Sequence, residues 1–110
     1  MYLLKLPGLA KPVALNSIIC AQGHGNYTWL YATNQPKYLW AATLKWVETQ
    51  SPGFIRIHKA SLINPVHVVQ VRVDGPHTMI IQMTNGMSLA VARRRVERVR
   101  QQLEEIVQAA

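Results

Sequence analysis

Phe54-Ile55-Arg56-Ile57-His58-Lys59-Ala60-Ser61-Leu62-Ile63-Asn64 is the stretch that decides the fold. It opens as a strand-like run in which Phe54, Ile55 and Ile57 carry the apolar weight and Arg56 sits among them. A polar knot follows, His58-Lys59-Ala60-Ser61. Leu62 and Ile63 resume the apolar run, and Asn64-Pro65 stops it. Two short β-type runs around a cationic, hydroxyl-bearing corner describe a display loop rather than a core element. Rigid scaffolds commonly present function on such loops.

The flanking sequence is also dominated by strands. Residues 17–22 (SIICAQ) read as one, and residues 27–33 (YTWLYAT), rich in aromatic and β-branched side chains, as the next. Gly23-His24-Gly25-Asn26 between them is a dense turn signal, so a hairpin with a four-residue tip is expected. Asn34-Gln35-Pro36 turns the chain into a strand over residues 37–40. Thr43 is placed to cap a short helix ending near residue 50, with Leu44 and Val47 on its buried face. After the deciding stretch, residues 66–73 (VHVVQVRV) read as a strong strand and Asp74-Gly75-Pro76 as its turn. Residues 78–83 pair back, Asn85-Gly86 signals a type I′ hairpin turn, and residues 87–91 complete a third strand. From residue 93 to 107 the apolar positions Val96, Val99, Leu103, Ile106 and Val107 take helical spacing. The fold class expected is mainly β: an elongated arrangement of small antiparallel sheets, a short internal helix and a C-terminal helix.

The 110 residues fit one domain, spanning 1–110, with no repeat and no linker. Hydrophobic residues make up 49%, enough for a core, and 12 Lys+Arg against 5 Asp+Glu leave a net charge of +7. A folded body with a basic face calls for a polyanionic partner, nucleic acid or an anionic surface. No apolar run reaches the roughly 18 residues of a membrane span. The N-terminal MYLLKLPGLAKP has no basic residue ahead of its apolar ones, and Pro7-Gly8 cuts the run, so it reads as an edge strand and turn rather than a leader. Cys20 is the single cysteine, which excludes an intrachain disulfide and fits a cytoplasmic, reducing location.

The charge concentrates late. Arg93, Arg94, Arg95, Arg98 and Arg100 put five arginines in eight residues, with Glu97 the only acid among them. Arg93 and Arg94 fall where the last strand gives way to the helix, and arginine there opposes the helix dipole unless an anion is near. A solvated basic face is the plain alternative. Elsewhere the bland readings prevail. His58 continues a strand alternation and reads as a hydrogen-bonded structural residue. Asn64 reads as a turn former and Cys20 as inert core. The four histidines show no metal-site spacing, so neither metal nor cofactor is expected. Nothing orients a Cys20–His24 nucleophile pair, and no catalytic constellation stands out. Trp29, Trp40 and Trp46 lie in strand and helix runs, as packing residues rather than base-stacking platforms.

Three motifs occur in order: Gly25-Asn26-Tyr27-Thr28; Phe54-Ile55-Arg56-Ile57-His58-Lys59 with Leu62-Ile63-Asn64; and Asn85-Gly86 leading to Val91-Ala92-Arg93-Arg94. With Thr43-Leu44-Lys45 at the short helix, the set resembles the LytTR DNA-binding domain of bacterial transcriptional regulators over about residues 15–103. The resemblance implies an elongated, mostly β fold that puts loops into successive major grooves of double-stranded DNA and commonly bends it. It implies three contact loops: His24 to Asn26, with either of the two as the hairpin-tip contact; Lys59 with Ala60; and Arg93 with Arg94. Lys59 and Arg93 are then the residues for base-edge or adjacent phosphate contacts. The chain departs from the family at Ala92, where serine often precedes the arginine pair, and in lacking the usual acidic residue near Cys20. It also leaves no room for the phosphorylated receiver domain that many members carry. A stand-alone, sequence-specific transcriptional regulator is therefore expected, as a homodimer, as tandem copies on DNA, or with a partner protein in place of the receiver. The competing expectation is an interaction or dimerisation module that keeps the fold without specific DNA binding.

Overall fold

The structure, a computed structural model, describes residues 3–4 and 13–109. In chain order the elements are β1 (Leu3–Leu4), β2 (Val13–Ala14), β3 (Ile18–His24), β4 (Tyr27–Ala32), β5 (Tyr38–Trp40), α1 (Leu44–Thr49), β6 (Ile55–His58), β7 (Ser61–Ile63), β8 (Val68–Val73), β9 (Met79–Met83), β10 (Ser88–Ala90) and α2 (Val96–Ala109). All strand pairs are antiparallel. They form a five-stranded sheet in the order β5-β4-β3-β7-β6, a three-stranded sheet β10-β9-β8, and a two-stranded ribbon β1-β2. The expected mainly β class of small antiparallel sheets with a short and a terminal helix is what the chain adopts. The molecule measures 43 × 32 × 24 Å.

The five-stranded sheet is the middle layer. On one face Ile18, Ala21, Leu30, Trp40 and Leu62 pack against Leu44 and Val47 of α1. On the other, Cys20, Ile55, Ile57 and Ile63 meet Met79, Ile81, Met83 and Leu89 of the second sheet and Val96 and Val99 of α2. Every residue of β7 is buried. A strand between two packed layers shows a continuous apolar run rather than an alternation. Fully burying side chains such as Leu62 and Ile63 stabilises the fold by about 1.5–3 kcal/mol each.

Local chemistry sets the ends. Thr43 caps α1 as expected, its Oγ1 accepting from Trp46 N at 3.2 Å. Asn64 is buried and not a reader of anything outside. Its Oδ1 accepts from Val66 N, capping a 3-10 turn over Pro65–His67, and its Nδ2 donates to Ile18 O at 2.9 Å. Trp40 is buried and meets Trp46 edge-on at 5.1 Å, while Lys37 Nζ lies 4.5 Å over Trp29.

Four boundaries differ from the sequence reading, each for a physical reason. The first hairpin tip is two residues long, not four: Gly23 and His24 stay in β3, and His24 pairs with Tyr27. Gly25 alone takes positive φ, +60°, the glycine-first pattern of a type II′ turn. The Asn85-Gly86 turn is not type I′, because only Gly86 has positive φ. Gly86 N donates to Met83 O and Met83 N to Met87 O, a three-residue loop with glycine in the left-handed position. The VHVVQVRV run starts with the 3-10 turn and becomes a strand only at Val68. It forms a sheet edge that overhangs the core, with Val69 61% and Val73 50% exposed. Arg93–Arg95 form a 3-10 turn, and α2 proper begins at Val96. Of the predicted N-terminal edge strand and turn, Leu3–Leu4 pair with Val13–Ala14, and Pro7-Gly8 lies outside the described residues.

Two outcomes follow from this packing. At Gly23 an added Cβ would stand 2.9 Å from Leu44 Cβ, too close unless α1 backs away from β3. Gly23→Ala should lower unfolding free energy by about 1–3 kcal/mol, measured by urea denaturation. Burial pushes the Cys20 thiol up to about 12, so almost no thiolate exists near neutrality. A thiol reagent at pH 8 should leave native protein unlabelled and label it fully in urea.

Candidate nucleic-acid interface

The deciding stretch forms a hairpin, β6 and β7, whose corner is Lys59-Ala60. The hairpin is irregular at Ile57: Arg56 pairs with Leu62 and His58 with Ser61, which leaves Ile57 as the extra residue of a β-bulge. A buried carbonyl needs a donor from elsewhere. Ile57 O receives it from Ala92 N at 2.8 Å, the residue just before the arginine turn. At the corner itself Ala60 O accepts from Gly23 N at 2.9 Å, next to His24. β3 also lies beside β7, with Gln22 opposite Ser61. The three loops singled out in the sequence are therefore tied to one hairpin by two backbone hydrogen bonds.

Each candidate residue can be placed on this frame. His24 is the last residue of β3 and is exposed; Asn26 is exposed in the tip that continues beyond it. Lys59 is exposed at the corner. Ala60 is half-buried, and its N–H donates to His58 Nδ1 at 3.1 Å. His58 is thus engaged in shaping the corner, as the alternation suggested, and its Nδ1 acts as the acceptor. Arg93 and Arg94 are exposed on the 3-10 turn. Between these loops runs an open cleft of about 410 Å³ lined by Gln22, His58, Ala60, Ser61, Ser88 and Leu89. Gln22, Ser61 and Ser88 do not stand out in the sequence as neighbours, because each is one polar position on a strand: pairing of β3 with β7 joins the first two, and packing of the second sheet brings in Ser88. A smaller apolar depression, about 260 Å³, opens near Ile18, Leu30 and Tyr38, at the opposite end of β3.

The ion pairs sort the cations. Arg56 pairs with Glu48 at 2.6 Å, Arg72 with Asp74 at 3.2 Å, and Arg100 with both Glu97 and Glu104. The hydrogen bond from Arg100 holds the Glu97 carboxyl below its ordinary value. Among the described residues, Lys59, Arg93, Arg94, Arg95 and Arg98 have no carboxylate partner. Uncompensated charge thus sits at the corner, on the arginine turn and on the first turn of α2, as well as at Lys45 of α1 and at Lys37, which lies over Trp29. That arrangement suits an external anion whose charges are spaced along a surface. No three His, Cys, Asp or Glu side chains among the described residues could hold a metal ion. No helix among them is long and apolar enough to cross a membrane.

Comparison with known proteins bears on the same region. A family model described as the LytTr DNA-binding domain matches residues 10–104. Among solved structures, the LytTr DNA-binding domain of a methyl-accepting/DNA response regulator from Bacillus cereus is similar. It shares 22% identity at a TM-score of 0.77, over 92% of this chain and 94% of that chain. At that identity the likeness is one of fold. A comparison with curated proteins finds no match.

Proposed function

The chain belongs to the LytTr DNA-binding domain family, and from that premise we propose that it binds a specific double-stranded DNA sequence through three loops that enter the major groove. Transcription regulation is the family's general role, and the specific site would set which genes the chain acts on. The observation that carries the reading is the joining of the three loops to one hairpin, together with the unpaired cations on two of them.

In this reading Lys59 and Arg93 reach base edges or the phosphates beside them. Arg is suited to the two acceptors of guanine, O6 and N7, and Lys to the same atoms as a point charge. Arg94 adds a phosphate contact. The hairpin tip contributes through His24 or Asn26. Ala60 carries no polar group, and its small side chain lets the corner approach the duplex closely. Phosphate contacts fix register, whereas base contacts discriminate sequence. A competing role as a protein-binding or dimerising module draws support from the exposed valines of the β8 edge.

The test is binding to a duplex selected from a random library, followed by fluorescence anisotropy at several salt concentrations. Lys59→Ala and Arg93→Ala should each weaken binding to the selected site by about 1–3 kcal/mol. Affinity should fall steeply with salt, and each lost phosphate contact should reduce the slope by about one. Unchanged affinity in both variants would remove the assignment of these loops. Absence of salt-sensitive duplex binding would favour the interaction module.

A further inference from the structure

Arg56 looks in the sequence like one more cation of a basic face. Its guanidinium points elsewhere. Nε donates to His58 O at 2.8 Å, Nη2 donates to Lys59 O, and Nη1 meets Glu48 Oε1 at 2.6 Å. The side chain is only 18% exposed. Both carbonyls belong to the corner that presents Lys59. The next residue, Ala60, is held through its N–H to His58 Nδ1 and through its carbonyl to Gly23. Three consecutive residues, His58 to Ala60, thus have backbone groups fixed by partners outside the strand ladder.

Glu48 sharpens the point. It is the only acidic residue in the first 73 positions, and it lies near the corner of a chain with net charge +7. A carboxylate beside a surface meant for phosphate weakens binding by repulsion unless its charge is neutralised in place. Arg56 neutralises it, and in return Glu48 fixes the plane of the guanidinium fork. Because Glu48 is 41% exposed, the pair adds little net stability; its consequence is orientation.

We propose that Arg56 is a positioning residue for DNA recognition: it holds the Lys59 corner in its binding geometry, and Glu48 of α1 holds Arg56. The role rests on the DNA-binding reading above. A corner ordered before the encounter loses less conformational freedom on binding than one ordered by the duplex. Lysine cannot substitute, because a single ammonium lacks the planar fork that reaches two carbonyls and a carboxylate at once.

Three variants on one selected duplex, each with its melting temperature, test this. Arg56→Lys preserves net charge, so non-specific affinity and salt slope should stay as in the wild type, while specific affinity falls about tenfold. In a Lys59→Ala background the same change should cost less than about twofold more, because its effect passes through Lys59. Glu48→Ala removes a negative charge, which by electrostatics alone would strengthen DNA binding. The proposal requires the opposite sign, a loss of specific affinity, and this variant carries the test if Arg56→Lys does not fold. Wild-type affinity in Arg56→Lys, full additivity with Lys59→Ala, or tighter specific binding by Glu48→Ala overturns the positioning role alone. A wild type that binds no duplex overturns the DNA-binding reading and the positioning role together, whereas a Lys59→Ala protein that binds as well as wild type removes the Lys59 contact and with it the positioning role, and leaves DNA binding standing.

Discussion

Two backbone hydrogen bonds at the β6–β7 hairpin, Ala92 N to Ile57 O and Gly23 N to Ala60 O, determine what the rest of the molecule can do. Each is an ordinary amide–carbonyl bond with a net worth of about 0.5–1.5 kcal/mol. Their importance is geometric. The first exists because a bulge takes Ile57 out of the ladder and leaves its carbonyl to be satisfied from outside. The second exists because the β6–β7 corner folds back onto the end of β3. Together they bring segments from residues 24, 59 and 93, far apart in sequence, onto one support. Loops are mobile by default; these three are anchored at their bases.

The support is firm because β3 and β7, in the middle of the five-stranded sheet, are packed on both faces. Leu62 belongs to the apolar cluster under α1 and Ile63 to the cluster under the second sheet, so β7 cannot shift without opening one of them. A slip of one residue would reverse the faces of every side chain on the strand. Charge follows the same division. The acids of the described chain that form ion pairs engage Arg56, Arg72 and Arg100, and none of them pairs with the corner lysine or with Arg93 to Arg95. Lys59, Arg93 and Arg94, where the loops project, are thus left without an acidic partner.

Much of this was readable in the sequence. The strand runs, the Thr43 cap, the structural roles of His58 and Asn64 and the burial of Cys20 all rest on local pattern, and the folded chain keeps them. The differences arise where tertiary partners decide. Gly23 reads as a turn residue, yet it continues β3 opposite Thr28, and glycine is needed there because α1 packs so closely that no side chain fits. The valine-rich run reads as one strong strand over residues 66–73, yet it starts with a 3-10 turn and becomes an exposed sheet edge from Val68, because β8 pairs only with β9. Asn85-Gly86 has the composition of one turn and adopts another, since a third loop residue changes which position needs positive φ. Arg56 and Arg93 are both arginines beside apolar residues, and nothing local says that one turns inward and the other stays free. Pairing and burial determine that, and neither is written in a single segment.

The claim that three separate loops form one contact unit is tested most directly by nuclear magnetic resonance, following backbone amides while a selected duplex is titrated into the protein. The account predicts that the amides of His24 to Tyr27, Lys59 to Ala60 and Arg93 to Arg95 shift together with one apparent dissociation constant, while those of the β8 edge stay in place. Shifts confined to β8, or separate dissociation constants for the three loops, would contradict it.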